Sequence, residues 1–120
     1  MDSNGIDGLL ALRQQLRNFA EDRDWDQFHS PKNLAIALSV EASELLELFQ
    51  WLPEHESTTF AAEKLEKVRE EMADVLLYLV RLADKLNVDL LQASFQKLDI
   101  NAKKYPVELA RGNSTKYTDR

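Results

Sequence analysis

Glu41 and Glu44, and further along Glu71 and Asp74, form two acidic pairs, E-x-x-E and E-x-x-D, each spaced by about one helical turn. On a helical projection, Leu34, Leu38, Leu45 and Leu48 all fall within about 60° of Glu41. Glu41 therefore points along the middle of an apolar stripe, with Glu44 beside it. The second pair repeats the arrangement, because Val68, Val75, Tyr78 and Leu82 cluster around the direction of Glu71, and Asp74 stands alongside. A carboxylate inside an apolar stripe is costly unless a cation meets it or a proton neutralises it. Two such helices packed face to face bring four carboxylates together. An all-oxygen donor set of that kind suits Mg²⁺, with Mn²⁺ as a substitute, and does not suit zinc. The ordinary alternative is a solvated acidic face or intrahelical ion pairs. Glu47, Glu54, Glu56, Glu63, Glu66 and Glu70 fit that description; for the two pairs on apolar stripes the solvated reading and the metal-site reading both stand.

The opposite charge comes from the fourth periodic segment, where Lys97, Asn101 and Lys104 share one face. Alone this is a solvated stripe, but beside a metal cluster it is a clamp for phosphate oxygens. Trp25 and Trp51 sit at helix edges, where they either join the core or stack on a base. His29 and His55 are the two histidines. Asp26-x-x-His29 imitates a di-iron ligand pair, yet such a site needs Glu-x-x-His twice, and that motif does not occur. With no cysteine, there is no thiolate zinc site, disulfide framework or cysteine nucleophile.

Four elements must position these residues. The first helix, about Ile6 to Asp22, places Ile6, Leu9, Leu10, Leu16 and Phe19 near one face, and a loop from Arg23 to His29 follows. Ser30-Pro31 is a cap followed by proline at the first helical position, and this second helix runs to about Trp51, before Pro53. The polar stretch Glu54 to Thr59 connects it to a third helix, about Phe60 to Leu86, with Asn87 as its stop. The fourth, about Asp89 to Tyr105, aligns Leu91, Phe95, Leu98, Ala102 and Tyr105 and ends at Pro106. The expected architecture is all-α, a four-helix domain over residues 1–106 with a polar, loosely ordered tail over 107–120.

Composition supports this. Gly and Pro number 3 each in 120 residues, far below the roughly 12% of average proteins, as a helical chain requires. The net charge of −6 argues against binding a nucleic-acid polymer and against a polybasic membrane anchor. Val75 to Val80 is the longest apolar run and Arg81 ends it, so no membrane span is expected. Met1 to Gly8 is polar and acidic, unlike a signal peptide, and the expected location is cytoplasmic.

Three stretches match a known family: WDQFHSPKNLAIALSVEASELLELFQW (Trp25 to Trp51), EEMADVLLYLV (Glu70 to Val80) and KLDINAKKYPVELARGNSTKYTD (Lys97 to Asp119). From about Leu9 onward the chain resembles the MazG-like all-α nucleoside triphosphate pyrophosphohydrolases, most closely their dCTP pyrophosphatase branch. The resemblance implies that Glu41, Glu44, Glu71 and Asp74 bind Mg²⁺ and carry catalysis. It implies cleavage of a (deoxy)nucleoside triphosphate between the α and β phosphates, to the monophosphate and pyrophosphate. It also implies nucleotide contacts from Trp25, Asp26, Gln27, Phe28, His29, Trp51 and Tyr78. Lys97, Asn101, Lys104 and Tyr105 match the segment facing the phosphates. Where the animal branch has a histidine near the base, this chain has Leu16, which leaves base selectivity open. Absence of Cys and of a Ser-His-Asp order favours direct attack by water. Helices two and three carry apolar residues nearly all round, and together with the resemblance this predicts a dimer or tetramer. The competing class is a non-enzymatic helical interaction module that dimerises through those stripes and needs no metal.

Overall fold

The computed structural model describes residues 5–112, with side chains from Gly8 onward. The side chain of Ile6 on the first apolar face, and the last residues of the family-like C-terminal stretch, lie outside those described. The described residues hold α1 (Gly5–Asp22), α2 (Pro31–Glu47), α3 (Ala62–Lys85), α4 (Leu90–Lys104) and α5 (Val107–Ala110), joined by turns and two short 3₁₀ segments, with no strand among them. They form two compact units divided between Asn87 and Val88.

In the first unit, α2 packs along α3, and α1 packs against α3 on a smaller area. The caps are those the sequence encodes. Ser30 Oγ accepts the Asn33 N–H at 3.1 Å, and Pro31 opens α2. α2 stops at Glu47, earlier than the expected Trp51. Pro53 disfavours helical geometry just before it, and the chain tightens into turns in which the Leu48 and Phe49 amides donate to the Leu45 and Leu46 carbonyls. Phe49 then packs edge-on against Phe60, with ring centroids 5.3 Å apart. α3 ends where Asn87 takes a left-handed conformation, φ 58°.

The core is small: Ala20, Leu34, Val68, Val80 and Ala83 are buried. Val80 lies nine residues beyond Glu71, about 180° around α3, so α3 buries more than one side. Ile36, Val40 and Leu46 on α2, and Leu65, Met72, Leu76 and Leu79 on α3, stay exposed. In the second unit Asp89 caps α4 by accepting the Gln92 N–H at 3.0 Å. The stretch after Pro106, expected as a loose tail, begins with the one-turn helix α5, because the Pro106 carbonyl accepts the amides of Leu109 and Ala110 at 3.0 and 2.9 Å. No helix among the described residues is long and apolar enough to cross a membrane.

Candidate metal centre

The α2–α3 pairing brings the acidic residues together. Glu41, Glu44 and Glu71 each offer one carboxylate oxygen, and those oxygens lie within 4.8 Å of one another. Asp74, one turn beyond Glu71 on α3, is close enough for its charge to act on Glu41. Four carboxyl groups this close cannot all stay ionised without a counter-charge. Burial, then a hydrogen bond and charge repulsion from Glu44, then Asp74, push the Glu41 carboxyl up to about 7. Burial, then repulsion from Glu44 and Asp74, raises Glu71 as well. Glu71 Oε2 is buried without a hydrogen-bond partner. An orphaned carboxylate oxygen among other carboxylates, with no nitrogen or sulfur donor, fits a hard divalent cation.

The other residues singled out in the sequence are not all gathered here. Tyr78 is half-buried on α3, about one turn beyond Asp74. Trp25 packs edge-on against Phe19 at 5.6 Å and keeps just under half of its surface exposed, and Phe28 rather more. Trp51 is 86% exposed in the turn after α2. Gln27 is tied back to Asp24, donating to its carbonyl and its Oδ2 at 3.0 and 3.1 Å. Asp26 and His29 attach to α3 at Arg81 and Lys85, which begins about 10 Å along the helix from Asp74. In the second unit, Lys97 and Asn101 line an open depression of about 380 Å³ on α4, with Ala93, Ser94 and Leu98. Lys104 and Tyr105 are half-buried at the end of that helix.

A second charged cluster went unread in the sequence. Arg17 on α1 grips Asp84 on α3 with two hydrogen bonds, 2.7 Å from Nε and 2.6 Å from Nη2. Arg13 Nε lies 3.9 Å from the same carboxylate. Arg81 Nη2 donates to Asp26 Oδ1 at 2.5 Å, and Lys85 donates to the same oxygen at 2.6 Å. The Arg17 hydrogen bond holds Asp84 below the usual carboxylate range, and the Lys85 hydrogen bond does the same for Asp26. In the sequence the cluster shows only as scattered charges, Arg13 and Arg17 at i, i+4 on α1 and Arg81 and Asp84 interrupting the apolar pattern of α3, with nothing local to pair them.

Comparison with known proteins joins this geometry to a family. A model of the MazG-like family matches residues 36–119. The bovine (Bos taurus) dCTP pyrophosphatase 1 is 48% identical over 113 residues, covering 92% of this chain and 67% of its own length. The human (Homo sapiens) protein of that name is 46% identical, with 92% and 66% covered. The chain thus spans about two thirds of the length of these relatives. Among solved structures, a pyrophosphatase from Archaeoglobus fulgidus matches with a TM-score of 0.71 and 38% identity, over 88% of this chain and 96% of that one.

Proposed function

Since the chain belongs to the MazG-like family, we propose that it is a nucleoside triphosphate pyrophosphohydrolase that converts dCTP, or a 5-modified dCTP, to the monophosphate and pyrophosphate. The observation that carries the reading is the convergence of Glu41, Glu44, Glu71 and Asp74, with a buried Glu71 oxygen left without a partner. A helical interaction module has no use for four carboxyl groups held against their own repulsion. Similarity to curated dCTP pyrophosphatases supports the substrate.

The four carboxylates would hold Mg²⁺, with Mn²⁺ a working substitute. When bound, the cation supplies charge neutralisation for the phosphates and lowers the pKa of water. A net charge of −6 otherwise repels a polyanion. Glu41 or Glu44 accepts the proton of the attacking water as its oxygen bonds to the α-phosphorus. The bond from that phosphorus to the bridging oxygen then breaks, and pyrophosphate leaves. Lys97, Asn101, Lys104 and Tyr105 orient phosphate oxygens. Trp25, Phe28, Trp51 and Tyr78 form an aromatic slot that stacks the base, tolerates a 5-methyl group and leaves a ribose hydroxyl without a partner. Discrimination falls to polar groups of the 26–29 loop, Asp26, Gln27 and His29. Leu16, which replaces a donor present in the animal branch, widens the range toward dTTP and dUTP. Exposed apolar side chains on α2 and α3 support self-association as a dimer or tetramer. Light scattering should then give a multiple of the 13.8 kDa chain mass. A nucleotide substrate fits a cytoplasmic setting.

The direct test is pyrophosphate release from the eight common nucleotides and 5-methyl-dCTP, with Mg²⁺ and with excess EDTA. Metal-dependent release with the highest kcat/KM for a deoxycytidine nucleotide is expected. Orthophosphate as product, or full activity in EDTA, overturns the reading.

A further inference from the structure

Arg81 is the buried charged residue of the described chain, 6% exposed, and all three of its nitrogens are engaged. Its Nε–H donates to His29 Nδ1 at 3.1 Å, Nη2 to Asp26 Oδ1 at 2.5 Å, and Nη1 reaches Asp84 Oδ2 at 3.5 Å. A guanidinium only donates and keeps its proton at any ordinary pH. The His29 nitrogen facing it must therefore offer a lone pair. A proton there would set two N–H groups against each other. The ring is left neutral, with its hydrogen on Nε2, where it acts as a donor. Burial first, then the charges of Arg81 and Lys85, push the imidazole below its ordinary range, against the opposite pull of Asp26.

Arg81 is itself braced. Asp84 receives its second hydrogen bond and the Arg17 fork from α1, and Lys85 secures Asp26 from the next position on α3. The loop that carries Asp26 and His29 is thereby locked to α3, which also carries Glu71 and Asp74. Nothing in the assembly of the four carboxylates requires this.

We propose that Arg81 is a positioning residue for nucleotide recognition: it sets His29 in the Nε2–H form and presents that donor to an acceptor on the base edge. The inference rests on the reading of the Trp25 to His29 stretch as nucleotide-binding. Cytosine offers such acceptors at O2 and N3, and a fixed neutral donor distinguishes them from an amino group at the same place.

The test combines imidazole ¹⁵N NMR with steady-state kinetics on the full chain. At pH 7.5 wild-type His29 should show an unprotonated Nδ1 and a protonated Nε2. Arg81→Lys keeps the charge and loses the fork. It should give mixed tautomers and raise KM for dCTP about tenfold while kcat stays within about threefold. In a His29→Ala background the same Arg81→Lys change should add no further rise in KM. A merely structural arginine would lower the melting temperature and leave the KM-against-kcat split unmoved, which overturns the proposal. So does an equal KM increase in the two backgrounds, or a wild-type His29 that is cationic or protonated on Nδ1. The wild-type spectrum needs no variant, and Asp84→Asn gives the same readouts in lesser degree if Arg81→Lys does not fold. Absence of turnover in the wild type removes the nucleotide reading and with it the role of Arg81 in recognition, whereas a wrong tautomer with normal turnover removes the role of Arg81 alone.

Discussion

Two clusters of charge sit on the same helix, and they have opposite characters. Near the middle of α3, Glu71 and Asp74 meet Glu41 and Glu44, four groups of one sign, with the Glu41 carboxyl pushed up to about 7 and a Glu71 oxygen left unsatisfied. Toward the end of α3, Arg81, Asp84 and Lys85 meet Arg17, Asp26 and His29, where positive and negative groups alternate and Asp84 is gripped by a two-pronged arginine. Burial of charge is common to both; compensation is not. An arrangement that is compensated within the chain fixes its own members in place, as Arg81 fixes His29. One that is not compensated stores repulsion that an external cation relieves, and that is the mark of a binding site.

The largest expected effect separates the two clusters by activity. Glu41→Gln or Asp74→Asn should lower kcat by about a thousandfold while leaving the metal-free fold as stable as the wild type, or more so, because one of four mutually repelling charges is gone. Pyrophosphate release and thermal melting on the same preparations check this. Near-normal turnover would mean that the acidic cluster is not the reaction centre.

Next in size is the mirror-image change. Asp84→Asn leaves Arg17 and Arg81 without their shared carboxylate, a loss of about 2 kcal/mol once the solvent exposure of Arg17 is allowed for. In a domain of this size that is a melting temperature about 8 °C lower. Activity per folded molecule should fall far less than in Glu41→Gln. A thermally neutral Asp84→Asn would erase the distinction between the clusters.

The acidic cluster was legible because periodicity is a local property. Glu41 amid Leu34, Leu38, Leu45 and Leu48 contradicts its own stripe, and a one-turn repeat of acids needs no knowledge of the partner helix. Caps are equally local, which is why Ser30, Asn87 and Pro106 mark the real boundaries. The compensated network was illegible for the converse reason. Arg81 pairs with residues 52 and 55 positions away, and Arg17 with one 67 positions away. In the sequence Arg81 shows only as the end of an apolar run. The early stop of α2 and the extra turn of α5 were missed because each depends on how a single proline redistributes hydrogen bonds on either side of it.

Smaller, but opposite in sign for the two clusters, is the response to pH. Glu41 titrates near 7 when folded, above its ordinary 4.5, so the folded state binds the extra proton. Metal-free stability should therefore fall as pH rises through that interval. Asp26 and Asp84 lie below their ordinary 3.8. Their contribution is complete above that value and is lost as pH falls through the lowered folded ones. The metal-free melting temperature should drop by about 3 °C from pH 6 to pH 8. Saturating Mg²⁺ should cancel that drop and raise the melting temperature, because the cation binds the deprotonated carboxylates and only the folded chain assembles them. Unchanged melting on adding Mg²⁺ would detach the cation from this cluster.

The smallest effect probes the rim of the compensated network. Lys85 shares one oxygen of Asp26 with Arg81, yet Asp26 is more than half exposed, at 55% of its side chain, whereas Arg81 is at 6%. A pair at the surface gains little, because water and salt screen the attraction and a long side chain gives up rotamer freedom to form it. Lys85→Ala should therefore lower the melting temperature by no more than about 2 °C, and 0.5 M NaCl should abolish even that difference. The same salt should leave most of the Asp84→Asn deficit in place, since its cause is a desolvated arginine without its acceptor, which screening does not restore. Lys85→Ala as damaging as Asp84→Asn, and equally insensitive to salt, would mean that the network is held from its rim. Arg81 would then be the residue that follows.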